Sequence, residues 1–276
     1  MLAPEYAVAY SAYELGELPG VPFHLGGCVI AHDDPNTLYF AGASEVQDGG
    51  LYAITVRRDA CRHIVGFVGD AKKVAATPYI DANLLYTANN VLLYTGWPVF
   101  QLSELEPGAM APARTVDLRP LGMNDSAGGL GLVPANLAGA GGLRAVGWPA
   151  GEWYHVDYRA DGNLFAIGTI RRTAMLPNGA GGFAYVPAGS PLFPKQSLLE
   201  AEWDHDQVAT YEVDEQGDPV VASRKEFFMK FPKPWGAYFE PLTGDYIFLT
   251  WRFSPPDLVF VVQGFTAPPP PPPPPR

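Results

Sequence analysis

"GGFAYVP" (residues 181–187) sets a short strand-forming run between a double glycine and a proline. Nearly the same phrase stands at 128–134 as "GGLGLVP", with looser copies at 26–32 ("GGCVIAH") and 235–241 ("WGAYFEP"). Anchored on the second glycine, the copies fall at Gly27, Gly129, Gly182 and Gly236. The first interval is twice as long as the others, so a degenerate copy belongs inside it. The stretch "DANLLYTANNVLLYTGW" (81–97) supplies it, with two apolar runs split by Asn89-Asn90 and with Ala82 at the anchor. Five units result, spaced 55, 47, 53 and 54 residues apart.

A period near fifty marks blades, solenoids or arrays, and the content of each unit decides among them. Runs of Val, Ile, Leu, Phe and Tyr are bounded by turn clusters such as Asp-Gly-Asn and Thr-Gly-Asp, and no stretch holds a helical period over three turns. Unit one reads as strands near 27–32, 37–42, 50–57 and 63–68. Unit three has them near 129–133, 142–148, 152–158 and 164–170, and unit four near 182–187, 198–203, 207–213 and 219–224. Unit five offers three, near 236–240, 245–251 and 257–263, and the run "YAVAYSAYEL" (6–15) can supply the fourth. The expected fold is an all-β, five-bladed β-propeller with four antiparallel strands per blade. The N-terminal strand completes the last blade, so that no sheet edge is left open. A sandwich or an open array is the competing arrangement of the same strands. In a propeller the first strand of each blade lies innermost, so the paired glycines read as packing devices at a crowded axis. The proline marks a strand exit, where no further ladder donor is wanted.

The chain has 276 residues, 47% of them apolar, and a net charge of −11 with 18 Lys+Arg. That composition fits a folded globule and disfavours a nucleic-acid partner or an anionic membrane surface, both of which call for a basic stripe. No apolar run is long enough to span a bilayer, and the N-terminus lacks the pattern of a signal peptide. Cys28 and Cys61 fall in different parts of blade one and are expected to be unpaired. The propeller is assigned to residues 1–265. The tail 266–276, with its run Pro268–Pro275, is expected to be a polyproline spacer or a docking ligand.

The loops that enter the innermost strands share one face with the ends of the second strands, which makes that face the expected ligand side. The second strands end alike: "TGWP" with Trp97, "VGWP" with Trp148, "AEWD" with Trp203 and "LTWR" with Trp251, whereas unit one has "AGAS". These indoles read either as repeated core residues between blades, which the large area of an aromatic favours, or as stacking platforms for a sugar or another flat ligand. The entrance loops bring His24, Asp81, Asn124, Asp125, Ser126, Asn178, Lys233 and Trp235 toward the same funnel. Taken singly, each of the turn residues is accounted for by local backbone hydrogen bonding. Taken together, Asp81 and Asp125 with amide oxygens from Asn124 and Asn178 could hold calcium, and His24 could act as a base. No GxSxG elbow, HExxH, P-loop or EF-hand loop is present.

The stretches 26–40, "GG" followed by "DPNTLYF", and 241–248, "PLTGDYIF", resemble secreted bacterial β-propeller repeat proteins. The resemblance implies the propeller, a secreted or cell-surface location and a proline-rich spacer; it implies no activity. Two functions follow as expectations. The first is a non-enzymatic ligand-binding or scaffold propeller, for a small molecule or glycan at the funnel and without a cofactor. The alternative is a divalent-cation-dependent hydrolase or lactonase with its site in the same funnel.

Overall fold

The computed structural model describes residues 1–266; the expected polyproline run lies outside them. Among the described residues, twenty strands form five four-stranded antiparallel sheets, in the order of a five-bladed propeller. The innermost strands are Leu25–Ile30, Ile80–Tyr86, Ser126–Leu132, Ala180–Tyr185 and Pro234–Phe239, each at the place the repeat assigns. The closing strand, Ser11–Gly16, pairs antiparallel with Val259–Gln263 in the register Ser11↔Gln263 to Glu14↔Phe260. Among the described residues no helix is long and apolar enough to cross a membrane.

Two boundaries differ from expectation. Residues 6–10 form turns instead of strand, with Tyr10 N–H donating to Tyr6 C=O (3.0 Å). One helical turn brings Tyr6 and Tyr10 onto the same side, where both meet Phe193 and Phe227 in the core between blades four and five. The fourth strand of blade four is Lys225–Phe228, not 219–224. Val220 and Val221 stay exposed while Phe227 and Phe228 are buried. Burying two phenyl rings outweighs the strand preference of Val220-Val221.

The core is divided. Five separate apolar clusters each lie between two neighbouring blades; Cys28, Leu38 and Ile54 of blade one, for example, pack on Ile247, Leu249 and Val261 of blade five. Cys28 is buried, Cys61 exposed, and both are free thiols.

At the axis the glycine phrase acquires its reason. A Cβ on Gly182 would lie 2.6 Å from the Trp235 carbonyl oxygen, and one on Gly181 2.8 Å from the Trp235 indole. The innermost strands approach too closely for any side chain there. Blade two departs from this pattern: Asp81, Ala82 and Asn83 stand where the others carry glycines and apolar residues. Asn83 is buried and spends its whole amide on the other blades. Its Nδ2 donates to the carbonyls of Phe183 (3.2 Å) and Ala237 (2.7 Å), and its Oδ1 accepts from the amides of Leu130 (3.2 Å) and Phe183 (3.0 Å).

Replacing Asn83 by Ala strips four buried backbone groups of partners, each worth about 1–3 kcal/mol when orphaned. The expected loss of stability is about 3–5 kcal/mol after partial compensation by water, measured by urea unfolding. A variant that unfolds at the wild-type midpoint would show that Asn83 does not pin the ring.

Candidate functional site

At the funnel end of the axis lies a cavity of about 240 Å³. Blades two to five each contribute to its wall the indole that follows the second strand: Trp97, Trp148, Trp203 and Trp251. Successive rings meet edge to face, with centroids 5.4 Å (Trp97–Trp148), 5.9 Å (Trp148–Trp203) and 6.0 Å (Trp203–Trp251) apart. Trp235 leans in from the innermost strand of blade five, 6.1 Å from Trp148, and Phe253 stands at the rim. The reading of these indoles as inter-blade core is therefore corrected. Leu, Ile, Val, Phe and Tyr with Trp153 fill the wedges between blades, and the repeated tryptophans are left half-buried around a shared cavity.

Blade one breaks the ring of indoles. Ala43 occupies the Trp position, and the chain turns so that Glu45 reaches the cavity. Ala43 and Glu45 both adopt left-handed backbone angles (φ 47° and 67°). That conformation costs about 1–2 kcal/mol per non-glycine residue and is held by hydrogen bonds from Ala43 N–H to Pro22 C=O (3.1 Å) and Glu45 N–H to Ile80 C=O (3.1 Å). Strain of this kind gathers where a side chain must be aimed.

Beneath Glu45 lies Asp81, fully buried. Its Oδ1 accepts from the Trp235 indole N–H at 2.7 Å, its Oδ2 is buried without a hydrogen-bond partner, and Glu45 is its acidic neighbour. Two carboxyls in contact cannot both ionise. Burial, then the neighbouring Asp81 charge, pushes Glu45 far above the usual carboxylate range. Burial also raises Asp81, opposed by the indole hydrogen bond, which favours its anion. Burial and mutual repulsion thus raise both carboxyls, Glu45 the further of the two, so the pair holds on to a proton that a solvated carboxylate would lose.

The remaining predicted residues do not join this pair. His24 stacks on Trp251 (3.8 Å, 6° between planes) with Nδ1 3.6 Å from Asp257. Burial lowers its pKa, and it buttresses the indole from outside the cavity lining, so its expected role as a base is corrected. Asp125 caps the Ala150 amide (2.8 Å). Asn124 and Asp125 both donate their backbone N–H to the Tyr154 hydroxyl, and Asn178 donates through Nδ2 to Glu202 (3.0 Å). Lys233 lies over Trp203, 4.3 Å from the ring centroid, and pairs with Asp206 at 3.1 Å. The proposed calcium set of Asp81, Asn124, Asp125 and Asn178 is thus dispersed among separate partners, and among the described residues no cluster of three His, Cys, Asp or Glu could hold a metal ion. Turn chemistry explains these loop residues. Sequence reasoning missed Glu45, and its signal was the Ala43 that takes the place of the fifth tryptophan.

No family model matches the chain, and no curated protein is similar to it in sequence. Solved structures are similar in fold. A candidate oxidoreductase (glucose dehydrogenase) from Thermus thermophilus superposes with a TM-score of 0.52 at 14% identity, covering 95% of this chain and 94% of that one. Another glucose dehydrogenase gives a TM-score of 0.51 at 12% identity, over 90% of this chain and 83% of that one. The PQQ-bound aldose sugar dehydrogenase of Streptomyces coelicolor gives 0.49 at 12% identity, over 90% and 82%. At these identities the likeness is one of fold. The expectation of a non-enzymatic binding or scaffold module is corrected on one finding: the solved structures similar in fold are enzymes by name.

Both carboxyls bind a proton more readily in the folded chain than in the unfolded one, so the folded state carries the excess proton and stability falls as pH rises. For Glu45 the window opens near its ordinary value of 4.5 and closes at about 10. Glu45→Gln, neutral throughout, is expected to melt progressively higher than wild type as pH is raised from about 5 to about 9. Thermal melts across that range test it; an offset independent of pH would deny the shared proton.

Proposed function

We propose that the chain is a hydrolase acting on a small ester or lactone in the central funnel, with Glu45 as the residue that touches the reacting atoms and Asp81 as its positioning partner. The observation that carries this reading is the carboxyl pair itself: Glu45 faces the cavity, Asp81 lies buried behind it and accepts from the Trp235 indole N–H, and burial raises both groups above the usual carboxylate range. A carboxylic acid kept neutral at pH 7 is a general acid.

The chemistry balances without a further reactant. Water adds to the acyl carbon while Glu45 gives its proton to the alkoxide oxygen that leaves. The attacking water returns one proton to the pair, and an acid and an alcohol depart. While Glu45 is ionised, the adjacent Asp81 charge raises its basicity, which favours recapture of that proton. The tryptophan walls exclude water from the rest of the substrate and strengthen each charge interaction inside. The enzymes among the solved propellers support a catalytic use of the funnel. The dispersal of the predicted cation ligands supports acid–base over metal chemistry, as a matter of donor geometry.

Loss of a positioned general acid–base group costs about 10²–10⁴ in rate. Glu45→Gln is therefore expected to reduce kcat/KM by at least about a hundredfold on whichever member of a panel of small lactones and aryl esters the wild type turns over, with little change in its circular dichroism. Turnover that survives in Glu45→Gln would overturn the assignment.

A further inference from the structure

We propose that the funnel is built for an organic cation, and that the substrate class is an ester or lactone carrying a methylated ammonium group. This rests on the acid–base reading of the same cavity.

The first observation is the polarity of the wall. Five indoles and the Phe253 ring surround the space, and Glu45 supplies the polar side chain of the lining. The indole N–H groups are not offered to a guest. Those of Trp97, Trp203 and Trp235 donate to Trp148 C=O, Trp251 C=O and Asp81, and those of Trp148 and Trp251, although unpartnered, are buried away from the accessible surface of the cavity. A sugar ring would give up the hydration of several hydroxyls and find few partners, a cost of about 1–3 kcal/mol for each group left unpaired. A methylated ammonium has no hydrogen bond to lose. It is drawn to the faces of aromatic rings, tryptophan above all, and cages of such rings are how proteins recognise quaternary ammonium ligands.

The second observation is charge. The floor is built of acidic groups alone, Glu45 and the buried Asp81, whose Oδ2 atom has no hydrogen-bond partner. Asp257, also buried, adds negative potential near Glu45. The lining contains no lysine or arginine to answer these charges. Lys233, held by Asp206 and by the Trp203 carbonyl, places its ammonium 4.3 Å from the Trp203 ring centroid, so this ring already accommodates a cation. The third observation is size: about 240 Å³ lies below the usual range of pockets for drug-sized ligands and suits a head group rather than a chain of sugars.

The experiment compares choline and tetramethylammonium with 3,3-dimethylbutan-1-ol, the uncharged isostere of choline, on the full-length chain. Indole fluorescence and calorimetry read the binding at constant ionic strength. Choline is expected to bind at least about tenfold more tightly than the isostere, as desolvated cation–π contacts require, and Trp203→Ala, shown folded by circular dichroism, is expected to weaken choline by a similar factor. Trp203→Phe keeps a ring in place and should retain part of the affinity. Equal binding of choline and its isostere, no saturable binding of either cation, or undiminished binding by folded Trp203→Ala would each overturn the inference. The two readings separate cleanly. Hydrolysis of neutral esters without ammonium binding removes the cation and leaves the acid pair, whereas choline binding with turnover that survives in Glu45→Gln removes the acid pair and leaves the cage.

Discussion

Asn83 satisfies backbone groups from three blades other than its own, and it does so at the axis, where the innermost strands have no ladder partner on their inner edge. A propeller of separate wedge-shaped cores has no single interior to hold it together. Each blade is bonded by apolar contact to its two neighbours, and the ring resists opening only if its inner and outer closures both hold. The outer closure is the pairing of Ser11–Gly16 with the last strand, assisted by Ala3 and Met1 hydrogen-bonded to Phe227 and Met229. The inner closure is one amide. Because a buried amide costs several kcal/mol unless every atom is paired, its four bonds fix where blades two to five meet.

That constraint also shapes the funnel. Glycines at the strand entrances allow the backbones to converge, and the convergence leaves room for one large side chain above them, the Trp235 indole. The indole then reaches across the axis to Asp81 at the entrance of blade two. Asp81, Ala82 and Asn83 are consecutive, so a single departure from the glycine phrase delivers the buried member of the acid pair and the pin of the ring together.

The ring of blades, its closure and the position of every innermost strand were legible in the sequence, because a repeated phrase reports a repeated environment. The errors arose where tertiary burial overrode local preference, at 219–224 and at Tyr6–Tyr10. The site was legible only in outline. The face and the five tryptophans stand in the sequence, but whether a repeated indole fills a wedge or lines a cavity depends on what else fills the wedge, and Leu, Ile, Val, Phe and Tyr had already done so. His24, Asn124, Asp125 and Asn178 misled because polar residues in turns serve the backbone first. Their convergence was inferred from the fold and not from any property of the residues.

The most informative position proved to be the one that breaks the repeat. Four tryptophans alone would give a neutral aromatic ring around the axis. Ala43 opens a gap in that ring, the two left-handed residues beside Ser44 spend conformational energy to fill it with Glu45, and the glutamate arrives where Asp81 is already buried. An isolated carboxylate in such a place would be expelled toward water or neutralised. Paired with Asp81 it keeps a proton instead, and the aromatic walls that make ionisation costly also make a cationic guest welcome. The same poor solvation that raises the pKa of Glu45 therefore sets both the acid it can be and the charge of the molecule it can hold.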